Sequence, residues 1–129
     1  MIEIIQIPEI RLEWVNWVKW DDLKLDARKD REAPNPPAVA GVYEAKINDC
    51  DESLIIGRAS NLRGRLKEGM VKGSVGHPPG KRLREKEVDN LSRVVVRWAE
   101  TERPAAVEEY LLKKHQKEFK RLPKYVHSI

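Results

Sequence analysis

Leu54–Leu66 reads LIIGRASNLRGRL: a short apolar run stops at Gly57, and Arg58, Arg63 and Arg65 follow across a polar turn into a helical pattern. The run LIIG has the length and branching of a buried strand. Ser60 or Asn61 can cap a helix through NLRGRLKEGM (61–70), where Leu62 and Leu66 stand four apart on the buried side. Upstream, AVAGVYEAKI (38–47) reads as a second strand, and the polar DCDES (49–53) joins the two into an antiparallel hairpin.

Downstream, VKGSVGHPPGKR (71–82) holds three glycines and two prolines and reads as a loop. LREKEVDNL (83–91) follows as a short helical turn, and SRVVVRWAE (92–100) is the clearest strand, its valines suited to the same sheet. Pro104 fits the first turn of a final helix, AAVEEYLLKKHQKEF (105–119), which is expected to bury Val107, Tyr110, Leu111 and His115. The order hairpin, helix, loop, strand, helix predicts an α/β fold: a small three-stranded antiparallel sheet flanked by helices.

Residues 1–38 read differently. IEIIQI (2–7) is β-branched and stops at Pro8, a short strand or arm. EIRLEWVNWVKWDDLKL (9–25) spaces Ile10, Trp14, Trp17, Val18 and Leu25 by threes and fours, which predicts an N-terminal helix with Trp14, Trp17 and Trp20 on or beside its buried face. The tryptophans pack, or stack on bases as in single-strand binders. DARKDREAPNPP (26–37) then forms a proline-rich linker. The predicted organisation is therefore 1–38 as arm, Trp-rich helix and linker, and 39–129 as the main domain.

The chain of 129 residues has the length of one domain, with 36% charged and 40% hydrophobic residues. Its single cysteine, Cys50, allows no internal disulfide and no zinc site by itself. No apolar run is long enough to span a bilayer, and the first residues carry acids where a secretory signal carries bases, so a cytoplasmic protein without membrane association is expected. The net charge of +4 is uneven: −5 over 1–57, +7 over 58–97 and +2 over 98–129. Such a cationic block suits a polyanion, because each Lys or Arg that neutralises a phosphate releases condensed counterions.

Gly41–Tyr43 (GVY), Ile55–Gly57 (IIG), the arginine-bearing helix after them and a glutamate on the last helix resemble, in order and spacing, the GIY-YIG nuclease domain over roughly residues 39–126. The resemblance implies hydrolysis of DNA phosphodiesters assisted by Mg²⁺ or Mn²⁺. It assigns Glu108 as the metal-binding carboxylate, Arg65 as the guanidinium on the scissile phosphate, and Arg58 as a second basic group aimed there. Tyr43 is implied to position or deprotonate the attacking water, and because an unperturbed phenol titrates near pH 10, nearby positive charge is expected to lower it. His77 stands in the loop where some branches of the family carry a proton-transfer residue. The wider basic set, Arg58, Arg63, Arg65, Lys67, Lys81, Arg82 and Arg84, is expected to lie along the nucleic-acid backbone.

Each residue also has a structural reading: Tyr43 as a strand aromatic, Glu108 as a surface carboxylate, Arg65 as an ion-pair partner of Glu68, His77 as an exposed loop side chain. Two departures from the family pattern matter. Ile55 replaces a tyrosine whose hydroxyl often joins the catalytic group, and the C-terminal PKYVHSI has Val126 where an asparagine is usual, with His127 beside it. They favour a catalytically weak nucleic-acid-binding module as the alternative; a protein-docking domain built on the tryptophan helix is a third reading. DNA is the expected partner, with RNA also compatible, and a homodimer or partner protein is expected to supply targeting.

Overall fold

The valine-rich run near residue 95 is the centre of the fold, because it pairs on both sides. In the computed structural model, which describes residues 2–4 and 10–128, β4 (Val94–Glu100) is flanked by β1 (Val18–Lys19) and β2 (Gly41–Ile47), and β2 by β3 (Ile55–Ala59). The sheet is four-stranded, ordered β1-β4-β2-β3, and antiparallel throughout. It contains the three expected strands and one more, so the three-stranded expectation falls short by β1.

The added strand comes from the segment expected to be helical. Only α1 (Trp20–Leu23) is helix there; Lys19 is extended, and Val15 N–H donates to the Trp98 carbonyl at 3.0 Å. An open edge of β4 gives this segment backbone partners that a helix would have forgone, and edge pairing overrides the helical spacing. Leu12 and Trp14, two apart, pack together on one face of the sheet, whereas Trp20 joins the cluster on the other. Ile10 and Leu25, expected on a buried face, are exposed. Of IEIIQI, residues 2–4 form no strand and leave Ile2 and Ile4 exposed, and residues 5–7 lie outside the described residues.

The two faces of the sheet carry different layers. Tyr43, Ala45, Ile55, Val96 and Trp98 share the face covered by Trp20, Leu66, Met70 and Leu83. The opposite face packs Val42 and Ala99 on Val107 of α3 (Pro104–Phe119). The final helix buries Val107, Leu112 and His115, with Leu111 half-buried; Tyr110, expected inside, is 66% exposed.

The helix after β3 is wound as a π-helix (Gly64–Val71), closed by bonds such as Lys72 N–H to the Lys67 carbonyl at 3.0 Å. The expected loop 71–82 is shorter than predicted, because its prolines start a helix instead of preventing one. α2 (Pro78–Lys86) takes both prolines in its first turn, where a missing N–H costs nothing, and His77 is its N-cap. A 3₁₀ turn, Val88–Arg93, leads back to β4. No helix among the described residues is long and apolar enough to cross a membrane.

Candidate functional site

β3 is the free edge of the sheet beyond β2, and side chains from both layers meet around it. A cleft of about 360 Å³ there is lined by Tyr43 and Arg58 from the strands, Arg65 from the π-helix, Arg82 from α2, and Glu108 from α3, with His127 at its rim. Four of the five residues expected to be catalytic thus line one cleft, and the fifth, His77, bonds to one of them.

Tyr43 is 1% exposed, its ring lying across Gly57, its partner in the β2–β3 register. A Cβ at Gly57 would come within 2.4 Å of the Tyr43 hydroxyl. The glycine that ends IIG is therefore the space Tyr43 occupies. Gly41, which opens GVY, has a different reason: a Cβ there would meet the Ala99 carbonyl oxygen at 2.4 Å.

His77 departs from its expectation as a residue in a flexible loop. It is 3% exposed, and its Nε2 lies 2.7 Å from the Tyr43 hydroxyl. Gly80 N–H donates to His77 Nδ1 at 2.8 Å, so Nδ1 carries the lone pair and Nε2 the proton. His77 accordingly donates to the Tyr43 oxygen. Burial, helped by the charges of Arg65 and Arg84, brings the His77 pKa down to about 4, so the ring is uncharged at neutral pH. The packing that makes this possible is glycine-based: Gly69 and Gly80 both stand against the imidazole.

The phenol of Tyr43 does not follow the expected direction. Burial pushes its pKa up, and Arg65 only partly opposes the rise, so Tyr43 is a neutral phenol at pH 7. Burial also raises the Glu108 carboxyl, against the attraction of Arg58 and Arg65. The Arg58 Nε lies 4.0 Å from Glu108 Oε1, an ion pair too long to hold either side chain in one place. The Nε of Arg65 is buried without a partner among the described residues, and the alternative structural reading, an ion pair with Glu68, is not found there, since Glu68 is held by Lys72 and Ser74.

The wider basic set divides. Lys67 is 6% exposed, and its Nζ donates to the Leu25 and Pro34 carbonyls at 2.9 and 3.2 Å, which removes it from any backbone-binding surface. Arg84 donates to the Gly69 carbonyl at 3.1 Å and to that of Met70, closing the end of the π-helix. Both are structural because they satisfy carbonyls that the 26–37 segment and the π-helix leave open. Arg63 gives its Nε to the Pro36 carbonyl at 3.0 Å while staying exposed, and Lys81 is exposed. Arg82 reaches the Tyr125 carbonyl at 3.1 Å and still lines the cleft.

Ile55, in the position of the missing hydroxyl, is fully buried in the main core. Sequence reasoning missed a larger groove next to the cleft, whose lining includes Ser60, Gly76, Glu102 and Ala105. The signal for it was the run of small residues in ASNLRG and SVG.

Among the described residues no group of three or more His, Cys, Asp or Glu side chains gathers as a metal site. The donor set is instead one half-buried carboxylate, Glu108, facing an open cleft. This fits a hard divalent ion that takes one protein carboxylate and fills its remaining positions with water and phosphate oxygens. A carboxylate already disfavoured by burial gains from such a cation. Comparison with protein-family models, with curated proteins and with solved structures returns no match.

Proposed function

We propose that this protein is a divalent-metal-dependent endonuclease that hydrolyses phosphodiester bonds of DNA, of the GIY-YIG type its motifs resemble. The supporting observation is the convergence of Tyr43, Arg58, Arg65 and Glu108 in one cleft at the edge of β3, from four separate elements. Phosphodiester hydrolysis needs a positioned water, positive charge on the non-bridging oxygens and relief for the leaving oxygen.

Arg65 supplies the fork for the scissile phosphate from the wall of the cleft that it shares with Tyr43 and Glu108. Arg58, more than half exposed at its side chain, meets the phosphate from the opposite face. Tyr43 holds the attacking water. Its oxygen accepts from His77 Nε2, which leaves its own proton directed away from the histidine. His77 keeps the phenol in place by donating to its oxygen; with its pKa at about 4 it brings no positive charge of its own. Glu108 would hold the divalent ion, Mg²⁺ or Mn²⁺, which when bound neutralises charge developing on the phosphate.

A second reading rests on the raised pKa values of Tyr43 and Glu108 and on the buried Ile55: a module that binds nucleic acid through the same cleft and cleaves it poorly. A plasmid nicking assay with Mg²⁺ or Mn²⁺ decides between them, with EDTA and Glu108→Ala as controls. Metal-dependent nicking that Glu108→Ala abolishes is expected. Equal inertness of both proteins, with salt-dependent DNA binding retained, would transfer the conclusion to the binding module.

A further inference from the structure

The groove beside the cleft has about 780 Å³ of space, within the range of about 300–1,000 Å³ typical of small-ligand sites. It shares Arg58 and Arg65 with the cleft, so the two spaces adjoin at these arginines. Its chemistry is nevertheless different. Apart from those two arginines, no cation lines it, and two acids, Glu68 and Glu102, do. A phosphate would be repelled beyond the boundary.

The remaining lining is small or apolar. Ala59, Gly64, Gly69 and Gly76 contribute little or no side chain, while Val75 and Pro104 offer apolar surface. Ser60 and the exposed Glu102 add hydrogen-bonding groups, and a carboxylate can accept from the amino or imino N–H of a base. Apolar walls, polar acceptors and an arginine pair at the entrance suit a flat heterocycle joined to a phosphodiester. A base stacked and paired in a duplex cannot enter such a space without leaving the stack.

We infer that this groove receives an unpaired nucleobase adjoining the scissile phosphate, so that the preferred substrate carries an unpaired nucleotide at the cleavage point. The inference rests on the phosphodiesterase reading only in placing the base beside a cleavage point; the preference for an unpaired base is a property of binding.

The test is therefore made without catalysis. Hairpin DNA probes carrying 2-aminopurine, either as a single-nucleotide bulge or paired with thymine, are titrated with the protein in EDTA and followed by anisotropy and by 2-aminopurine emission. The bulged probe is expected to bind about tenfold more tightly than the paired one. Two variants fill the groove away from the cleft. Gly76→Leu adds a side chain where a new Cβ meets nothing within 4 Å, and Ala105→Phe adds a ring on the exposed first turn of α3. Either variant should lower bulge affinity to the paired level and leave paired affinity unchanged. Equal binding of the two probes by the wild type, or full discrimination in both variants, would overturn the inference. A protein that discriminates in EDTA yet never nicks with metal would refute the nuclease and leave the base site standing.

Discussion

Arg97 and Arg65 sit toward opposite edges of one sheet and are treated in opposite ways. Arg97 donates to Glu44 at 2.7 Å, and its guanidinium lies 4.2 Å from the Trp14 ring and 4.6 Å from that of Trp17. Its Nε is bonded and its guanidinium is stacked on two rings, and those contacts tie the N-terminal segment to the sheet. Arg65 is half-buried on the wall of the cleft, with its Nε shielded from solvent and unpartnered among the described residues. A cation paired and stacked within the protein holds the fold together, whereas one whose guanidinium lines an open cleft is available to a ligand.

The largest expected effect breaks this comparison directly. Arg65→Ala should lower metal-dependent nicking by about 10²- to 10³-fold, the loss typical of removing one donor to a developing oxyanion. Its thermal stability should change little, because no hydrogen bond of the Nε is lost. A large fall in stability, measured by chemical denaturation, would show Arg65 to be a structural residue like Arg97.

His77 sharpens the same contrast through pH. Its pKa is about 4 when folded, against an ordinary value of 6.5, so between these values the unfolded chain binds the proton and the folded one does not. Stability is then full above pH 6.5 and falls as pH drops toward 4, by roughly 3 kcal/mol from this group. His77→Asn, which retains a capping acceptor, should flatten that dependence relative to the wild type. Arg65 helps to depress this pKa, so Arg65→Ala should move the His77 titration, followed by NMR, upward. A wild-type and His77→Asn pair with identical pH dependence would refute the buried, neutral histidine.

Arg97→Ala gives the next effect. Loss of a partly buried ion pair and two cation–π contacts should destabilise the protein by about 2 kcal/mol, with nicking reduced less than tenfold once both proteins are compared folded. Nicking lost in step with Arg65→Ala would mean that the N-terminal segment serves the cleft as well as the fold.

The cleft was more legible in the sequence than the layer that supports it. Tyr43, Arg58, Arg65 and Glu108 could be named because the motifs that carry them resemble a nuclease domain, and the strands and helices read around those motifs formed nearly as expected. Gly57 read as the end of a strand that in the fold runs on to Ala59; that it makes room for a ring across the ladder depends on register, which short-range pattern does not carry. The tryptophan segment failed for a related reason. Spacings of three and four describe a helix only if no strand edge is waiting, and the open side of β4 is a property of the assembled sheet. His77 was hidden by composition: GHPPG reads as loop, yet prolines at the first turn and a histidine cap begin a helix. Counting bases over 58–97 overstated the binding surface, because Lys67 and Arg84 spend their donors on main-chain carbonyls.

That overcount yields the smallest effect, and salt dependence resolves it. Each phosphate neutralised by a cation contributes close to one unit to the slope of log affinity against log salt concentration. Arg58, exposed and only loosely matched with Glu108 at 4.0 Å, should count, so Arg58→Ala is expected to lower the slope by about one. Lys67, directed inward onto the Leu25 and Pro34 carbonyls, should not. Lys67→Met therefore should leave the slope unchanged while destabilising the fold by about 1 kcal/mol through the two carbonyls it abandons. If the two variants instead lowered the slope equally, the Lys67 amine would be free to reach the nucleic acid, and the division of the cationic block into bonded and available halves would fail with it.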